Sequence, residues 1–376
     1  MSSAEPGSHL KAQRSNGWLA AAAVMLALGL GGWIVCALLS DTHRAWRAFL
    51  INFVFFTPLA SGMALWPAIV IASRGEWAKA AERWALIGLG FAPVSIVAFA
   101  ALVFARSYWA GWIGQTDLPN AAWLDTPFLF ARDAAALVAL WVMLALHARR
   151  ARTDRPKPFA GFLIVLYCAV WTLLSFDLVM ALDPHWFSTL FGGYFFITGL
   201  YAAVVCWTLV TLIRRPDTQA DVRNDLGRLI ITFSMIATYT MFTQLLVIWY
   251  ENLPAESRFV VPRLRGMEWR WVGIVLLVVV YLGPLCVLLT RWTRRTRWFL
   301  MLFTMIVLPC LWLERWWEVT PTLGGEPTLG LAELTITLAF AAAFVICVGL
   351  FDRRLPLAEV DASSPEPAGV SETTEE

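Results

Sequence analysis

The chain has 376 residues, 59% hydrophobic and 15% charged, with a formal net charge of +2. That balance excludes a strongly acidic or basic soluble protein and leaves no cationic surplus for nucleic acid. Its 21 tryptophans exceed the needs of an ordinary soluble core and suit belts at the two faces of a membrane.

A polar lead, residues 1–16, comes first. The apolar run after Asn16 is too long for a cleaved signal and predicts a retained first helix. From there, apolar stretches recur about ten times, each near the ~20 residues an α-helix needs to cross a hydrocarbon core. The predicted spans are 18–39, 46–73, 84–105, 127–147, 159–182, 189–213, 226–250, 271–290, 298–313 and 331–351. The ninth is expected to be short, because Pro309 breaks it and Glu314 and Arg315 end it. The fold class is therefore all-α: a polytopic transmembrane bundle, with an integral membrane domain over 17–352. Residues 353–376 form an acidic tail, rich in Pro and Ser, which is expected to be disordered.

Lysine and arginine alternate from loop to loop. One set of loops holds Arg74, Lys79, Arg83, then Arg149 to Lys157, Arg214, Arg215, Arg223, Arg291 to Arg297, Arg353 and Arg354, with Lys11 and Arg14 at the start. The other set is sparser, with Arg44, Arg47, Arg106, Arg258, Arg263, Arg265 and Arg315 among its residues. By the positive-inside rule both termini are expected in the cytoplasm.

The six cysteines, Cys36, Cys168, Cys206, Cys286, Cys310 and Cys347, are scattered singly through predicted spans. No clustered spacing argues for an iron–sulfur cluster, c-type haem or zinc. Of the four histidines, His9, His43, His147 and His185, none falls in the middle of a span, where a b-type haem would take its axial ligands. No nucleotide-binding motif occurs. No metal ligands and no covalent cofactor are expected.

Four constellations could carry chemistry. The densest is the run from Ser175 through Asp177, Asp183, Pro184 and His185 to Gly192, Gly193 and Tyr194. Asp177 lies one to two turns inside a span, where an ionisable group is costly unless paired, protonated or wet, and is a candidate proton carrier. Asp183 has a structural reading as well, ending one helix before Pro184 turns the chain and Ser188 or Thr189 caps the next. His185 reads as a proton acceptor, a contact residue or a plain surface histidine. A second group, Tyr239, Thr243 and Gln244 before Trp249-Tyr250-Glu251-Asn252, offers either a proton wire or interhelical hydrogen bonds. A third, Glu314-Arg315-Trp316-Trp317-Glu318, reads as a functional acid, Glu314, or as an anchoring belt with a local ion pair. The fourth places Arg132-Asp133 one turn into a span that Asp125 or Thr126 caps ahead of Pro127. All lie towards the arginine-poor face.

On these residues the chain resembles a known family. FDLVMALDPHWFSTLFGGYFF is similar to the signature helix pair of the NrfD/polysulfide-reductase membrane-anchor superfamily. More narrowly it is similar to the second NrfD-like, quinone-binding-type membrane subunit of bacterial alternative complex III. TQLLVIWYENLPAES and WLDTPFLFARD resemble two further stretches of that subunit. The resemblance implies two four-helix bundles with peripheral helices, in the bacterial inner membrane. It implies a subunit of a quinol:electron-acceptor oxidoreductase, without a redox cofactor of its own, that takes part in quinol binding or proton conduction. The implied partners are another NrfD-like subunit, periplasmic iron–sulfur and multihaem cytochrome subunits, and a cytochrome oxidase. Asp177, Asp183 and His185 map onto the shared motif. The turn after Asn252, Leu-Pro-Ala-Glu-Ser, departs from the family's more acidic stretch and leaves that docking surface open. Two other readings stand beside this one: a purely structural anchor for redox subunits, and a secondary transporter, for which no inverted repeat is evident.

Overall fold

A computed structural model describes residues 6–75, 79–115, 117–118, 120–150 and 157–354. Arg152, Arg155 and the acidic tail from Leu355 onward lie outside the described residues. Among those described there is no β-strand, and ten helices are long and apolar enough to cross a membrane. They are α1 (Gly17–Leu39), α2 (Thr42–Ala72), α3 (Ala81–Phe104), α4 (Thr126–Arg149), α5 (Pro158–Leu182), α6 (Thr189–Arg214), α7 (Ala220–Glu251), α8 (Met267–Leu288), α9 (Arg297–Leu323) and α10 (Leu331–Arg353). The helix of α1 extends back to Pro6, so the polar lead is helical from there, and that of α10 runs on to Arg354.

Helices α2, α3, α4 and α5 pack in a ring, each against the next and α5 back onto α2. Helices α6, α7, α8 and α9 close a second ring in the same way, α2 joins the two through α6, and α1 pairs with α10 at the side. The two-bundle expectation is met. Burial follows this plan: 89% of the apolar window of α2 is inside the protein, against 17% for α1.

Small residues set the closest crossings, because packing rather than apolar burial drives helix association in lipid. A Cβ on Gly29 of α1 would lie 2.7 Å from the backbone of Ala339 on α10. One on Gly62 of α2 would lie 2.9 Å from Ala203 of α6, and one on Gly199 would lie 3.1 Å from Pro58. Pro58 itself interrupts the ladder of α2, and its carbonyl is met by the Tyr167 hydroxyl at 3.1 Å.

Helix ends are fixed by local chemistry. The Asp41 carboxylate accepts the Arg44 amide at 3.0 Å and caps α2, and Asp125 accepts the Phe128 amide at 3.1 Å and caps α4. Ser188 holds the cap position of α6, although its side chain makes no cap bond. Asn252 ends α7 in the left-handed region with φ 49°. At the arginine-rich end the cations have structural work beyond topology. Arg294 is buried between Asn224 and the last carbonyls of α8. Arg297 donates to the Leu212 carbonyl, and Arg83 pairs with Asp352 at 3.0 Å.

The ninth span corrects the sequence reading. Its helix does not stop at Glu314 but continues through Val319, carrying Glu314, Arg315 and Glu318 into the protein. Trp316 and Trp317 are buried with them and are not an interfacial belt. The helix survives because each charged group meets a partner inside the second ring.

Candidate functional site

Two buried polar centres stand at the arginine-poor end. The larger surrounds Glu314. Both Tyr194 of α6 and Tyr281 of α8 donate their hydroxyls to Glu314 Oε1, and the two hydroxyl oxygens are 3.0 Å apart. Glu314 Oε2 has no hydrogen-bond partner. One residue on, Arg315 donates to Glu318 Oε2 at 2.6 Å and to the Thr198 hydroxyl, and it stacks 3.9 Å from the Phe195 ring. Arg263, on the helical turn Val261–Arg265 before α8, closes the centre from the loop side. It donates to the carbonyls of Phe259, Trp317 and Glu318 and to Thr322, and stacks 3.5 Å from Phe259. Burial pushes the Arg263 guanidinium down, and Glu318 opposes that shift.

Tyr281 is delivered by an irregularity. Residues Leu277–Leu282 of α8 form a π-helical turn, a feature frequent at functional positions. Its Val280 carbonyl is met by the Tyr201 hydroxyl at 2.9 Å, and its Tyr281 carbonyl accepts from Thr238 at 3.4 Å. Tyr281 also lines an almost wholly apolar groove of about 230 Å³ between α7 and α8, together with Phe242, Ile274, Leu277 and Trp317 among others.

The smaller centre joins α4 to α5. Arg132 reaches Asp177 Oδ2 with Nε at 3.1 Å and Nη2 at 2.7 Å. The Trp123 indole, from the loop before α4, donates to Asp177 Oδ1 at 2.7 Å and lies 3.7 Å from the Arg132 guanidinium. Beside them Asp133 is fully buried, and neither of its carboxylate oxygens has a hydrogen-bond partner.

Of the residues singled out from the sequence, Asp177 is therefore clamped by two guanidinium donors and an indole. It meets the Arg132-Asp133 step, which the sequence left as a separate constellation. Asp183 lies at the surface, 3.3 Å from Arg258 Nε, and accepts the His185 amide at 3.3 Å. His185 is exposed. Neither joins a buried centre. Glu314 does, but its partners are tyrosines, while Arg315 goes to Glu318. The Tyr239–Thr243–Gln244 wire is not assembled: Gln244 is buried, whereas Tyr239 is 67% exposed. Sequence reasoning passed over Tyr281, Arg263 and Tyr201. The sequence signal was weak: six of the seven tyrosines lie within spans, and burial separates Tyr167, Tyr194, Tyr201 and Tyr281, whose phenols need a partner, from the exposed Tyr239 and Tyr250.

No protein-family model matches this chain, and no curated protein matches it.

Proposed function

We propose that the chain is a membrane subunit of a quinol:electron-acceptor oxidoreductase of the cytochrome c type. Its kind is NrfD-like, with the resemblance to the quinone-binding-type membrane subunit of alternative complex III as the guide to its partners. It would sit in a bacterial inner membrane with both ends in the cytoplasm, which puts the two polar centres in the periplasmic half. A second NrfD-like subunit, iron–sulfur and multihaem cytochrome subunits and a cytochrome oxidase would surround it.

Glu314 carries this reading. Quinol oxidation yields two electrons and two protons, and a subunit without a redox centre contributes by handling the protons. A carboxyl buried in a span is expensive, which makes it a functional candidate by default. This one receives two phenols on one oxygen and keeps the other free, which suits it to accept and pass on a proton. The groove between α7 and α8 is apolar, as an isoprenoid tail requires, and Tyr281, whose hydroxyl is bonded to Glu314, is among the residues that line it. Arg315 and Arg263 hold the surrounding framework charged and rigid.

A purely structural anchor is the second reading. Large aromatics exposed at the same end, Trp249 at 76% and Tyr250 at 83%, favour it as a docking rim.

Purification of the tagged chain from native membranes in a gentle detergent tests the proposal, with haem staining and peptide mass spectrometry as readouts. Co-purifying multihaem cytochrome, iron–sulfur protein and a second related membrane subunit is the expected result. A solitary, colourless protein would overturn it, and solute uptake by that protein in vesicles would establish a transporter.

A further inference from the structure

We propose that Asp133 is a proton-carrying residue, holding an exchangeable proton between its carboxyl and that of Asp177, with Trp123 as the stopper between this pair and the loop side.

The hydrogen-bond accounting leads there. Asp177 takes three N–H donors, two from Arg132 and one from Trp123. Asp133 takes none, although it is fully buried. The nearest cation, Arg132 Nε, is 4.0 Å from Asp133 Oδ1 and is already engaged with Asp177. Among the described residues, the charged groups that act on Asp133 are Asp177 and Arg132. Two ionised carboxyls beside one guanidinium would leave an uncompensated negative charge in a membrane span, which is severely unfavourable. One proton removes the charge and supplies the missing donor, since a protonated carboxyl has an O–H to offer and Asp177 faces it. Asp177, satisfied on both oxygens, is the fixed member. Asp133 is the one that exchanges.

Trp123 controls access. It is 45% exposed, yet its indole N–H reaches the buried Asp177 and its ring covers Arg132. Displacing this one side chain would open the pair to water without unpacking a helix.

The proton's presence stands on this geometry, and only its role in turnover rests on the quinol-linked reading. Infrared difference spectroscopy of the purified full-length chain in lipid nanodiscs, in H₂O and D₂O, reads protonated carboxyls directly. A protonated-carboxyl band that disappears in Asp133→Asn and persists in Glu314→Gln is expected. The amide introduced by Asp133→Asn can still donate to Asp177, so the variant should fold with an unchanged melting temperature. A band unaffected by Asp133→Asn would overturn the proposal, and so would a response to sodium that replaces the proton signal, which would make the pair a cation site. Trp123→Phe gives an independent arm should Asp133→Asn misfold. Deleting a hydrogen bond to a charged group should speed deuterium exchange of the band about tenfold or more, and an unchanged rate would refute the stopper. If the band behaves as expected while quinol oxidation by the assembled complex is untouched in Asp133→Asn, the proton site stands and the functional reading fails.

Discussion

The two buried centres are built on one plan with different outlets. Each has an acid clamped at short range by an arginine, Glu318 by Arg315 and Asp177 by Arg132, and a second acid, Glu314 or Asp133, outside that bond. Asp177 is bonded on both oxygens, whereas Glu318 Oε1, Glu314 Oε2 and both Asp133 oxygens are not. Around Glu314 the second acid receives hydroxyls, and hydroxyls can donate and accept in turn. Beside Asp133 the indole and guanidinium are spent on Asp177 and can only donate, so an exchangeable proton there would have only the two carboxyls to move between. The contrast teaches that a clamped acid is the scaffold of such a centre. On the proposed function, proton handling would fall to its unclamped neighbour.

The comparison breaks most readily at the clamps. Arg315→Leu and Arg132→Leu each strand a buried carboxylate, and each should cost about 3–5 kcal/mol, seen as poor yield and a lowered melting temperature in detergent. A melt unchanged by either would mean that the acid was not charged against its arginine. Gly29→Val lies outside both centres and serves as a packing control. It forces α1 off α10 at a cost of about 1–3 kcal/mol, with the properties of both acids preserved. Tyr281→Phe sharpens the contrast by removing one donor from Glu314 alone. About 0.5–1.5 kcal/mol of stability should be lost by thermal melt, and the Asp133 infrared band should stay in place. Asp183→Asn breaks only the surface pair with Arg258 and should shift stability by about 0–1 kcal/mol, less in high salt.

The ten spans were legible because length and hydropathy report directly on the solvent a helix needs. Their ends were legible where a cap was read from the sequence, as at Asp125, whereas the Asp41 cap of α2 was passed over and that helix starts four residues before the expected Trp46. The ninth span misled for a physical reason. Hydropathy scores Glu314, Arg315 and Glu318 as costs, and only tertiary structure supplies the tyrosines, the Thr198 hydroxyl and the Arg315–Glu318 pair that offset them. The same limit hid the meeting of Asp177 with Arg132 and Asp133, 45 and 44 residues earlier in the chain. Periodicity places a residue on a helix but not beside its partner on the next. The π-helical turn that presents Tyr281 left no mark in the apolar run LVVVYL.

The most direct test of the account is the quinol-oxidation rate of the assembled complex carrying Glu314→Gln, set against wild type at equal subunit content. The Gln side chain keeps the size and can still accept the tyrosine hydroxyls, so assembly should be normal. Loss of proton acceptance should lower turnover about 100-fold or more. A fully assembled variant that turns over at the wild-type rate would contradict the account, and would leave the chain as an anchor.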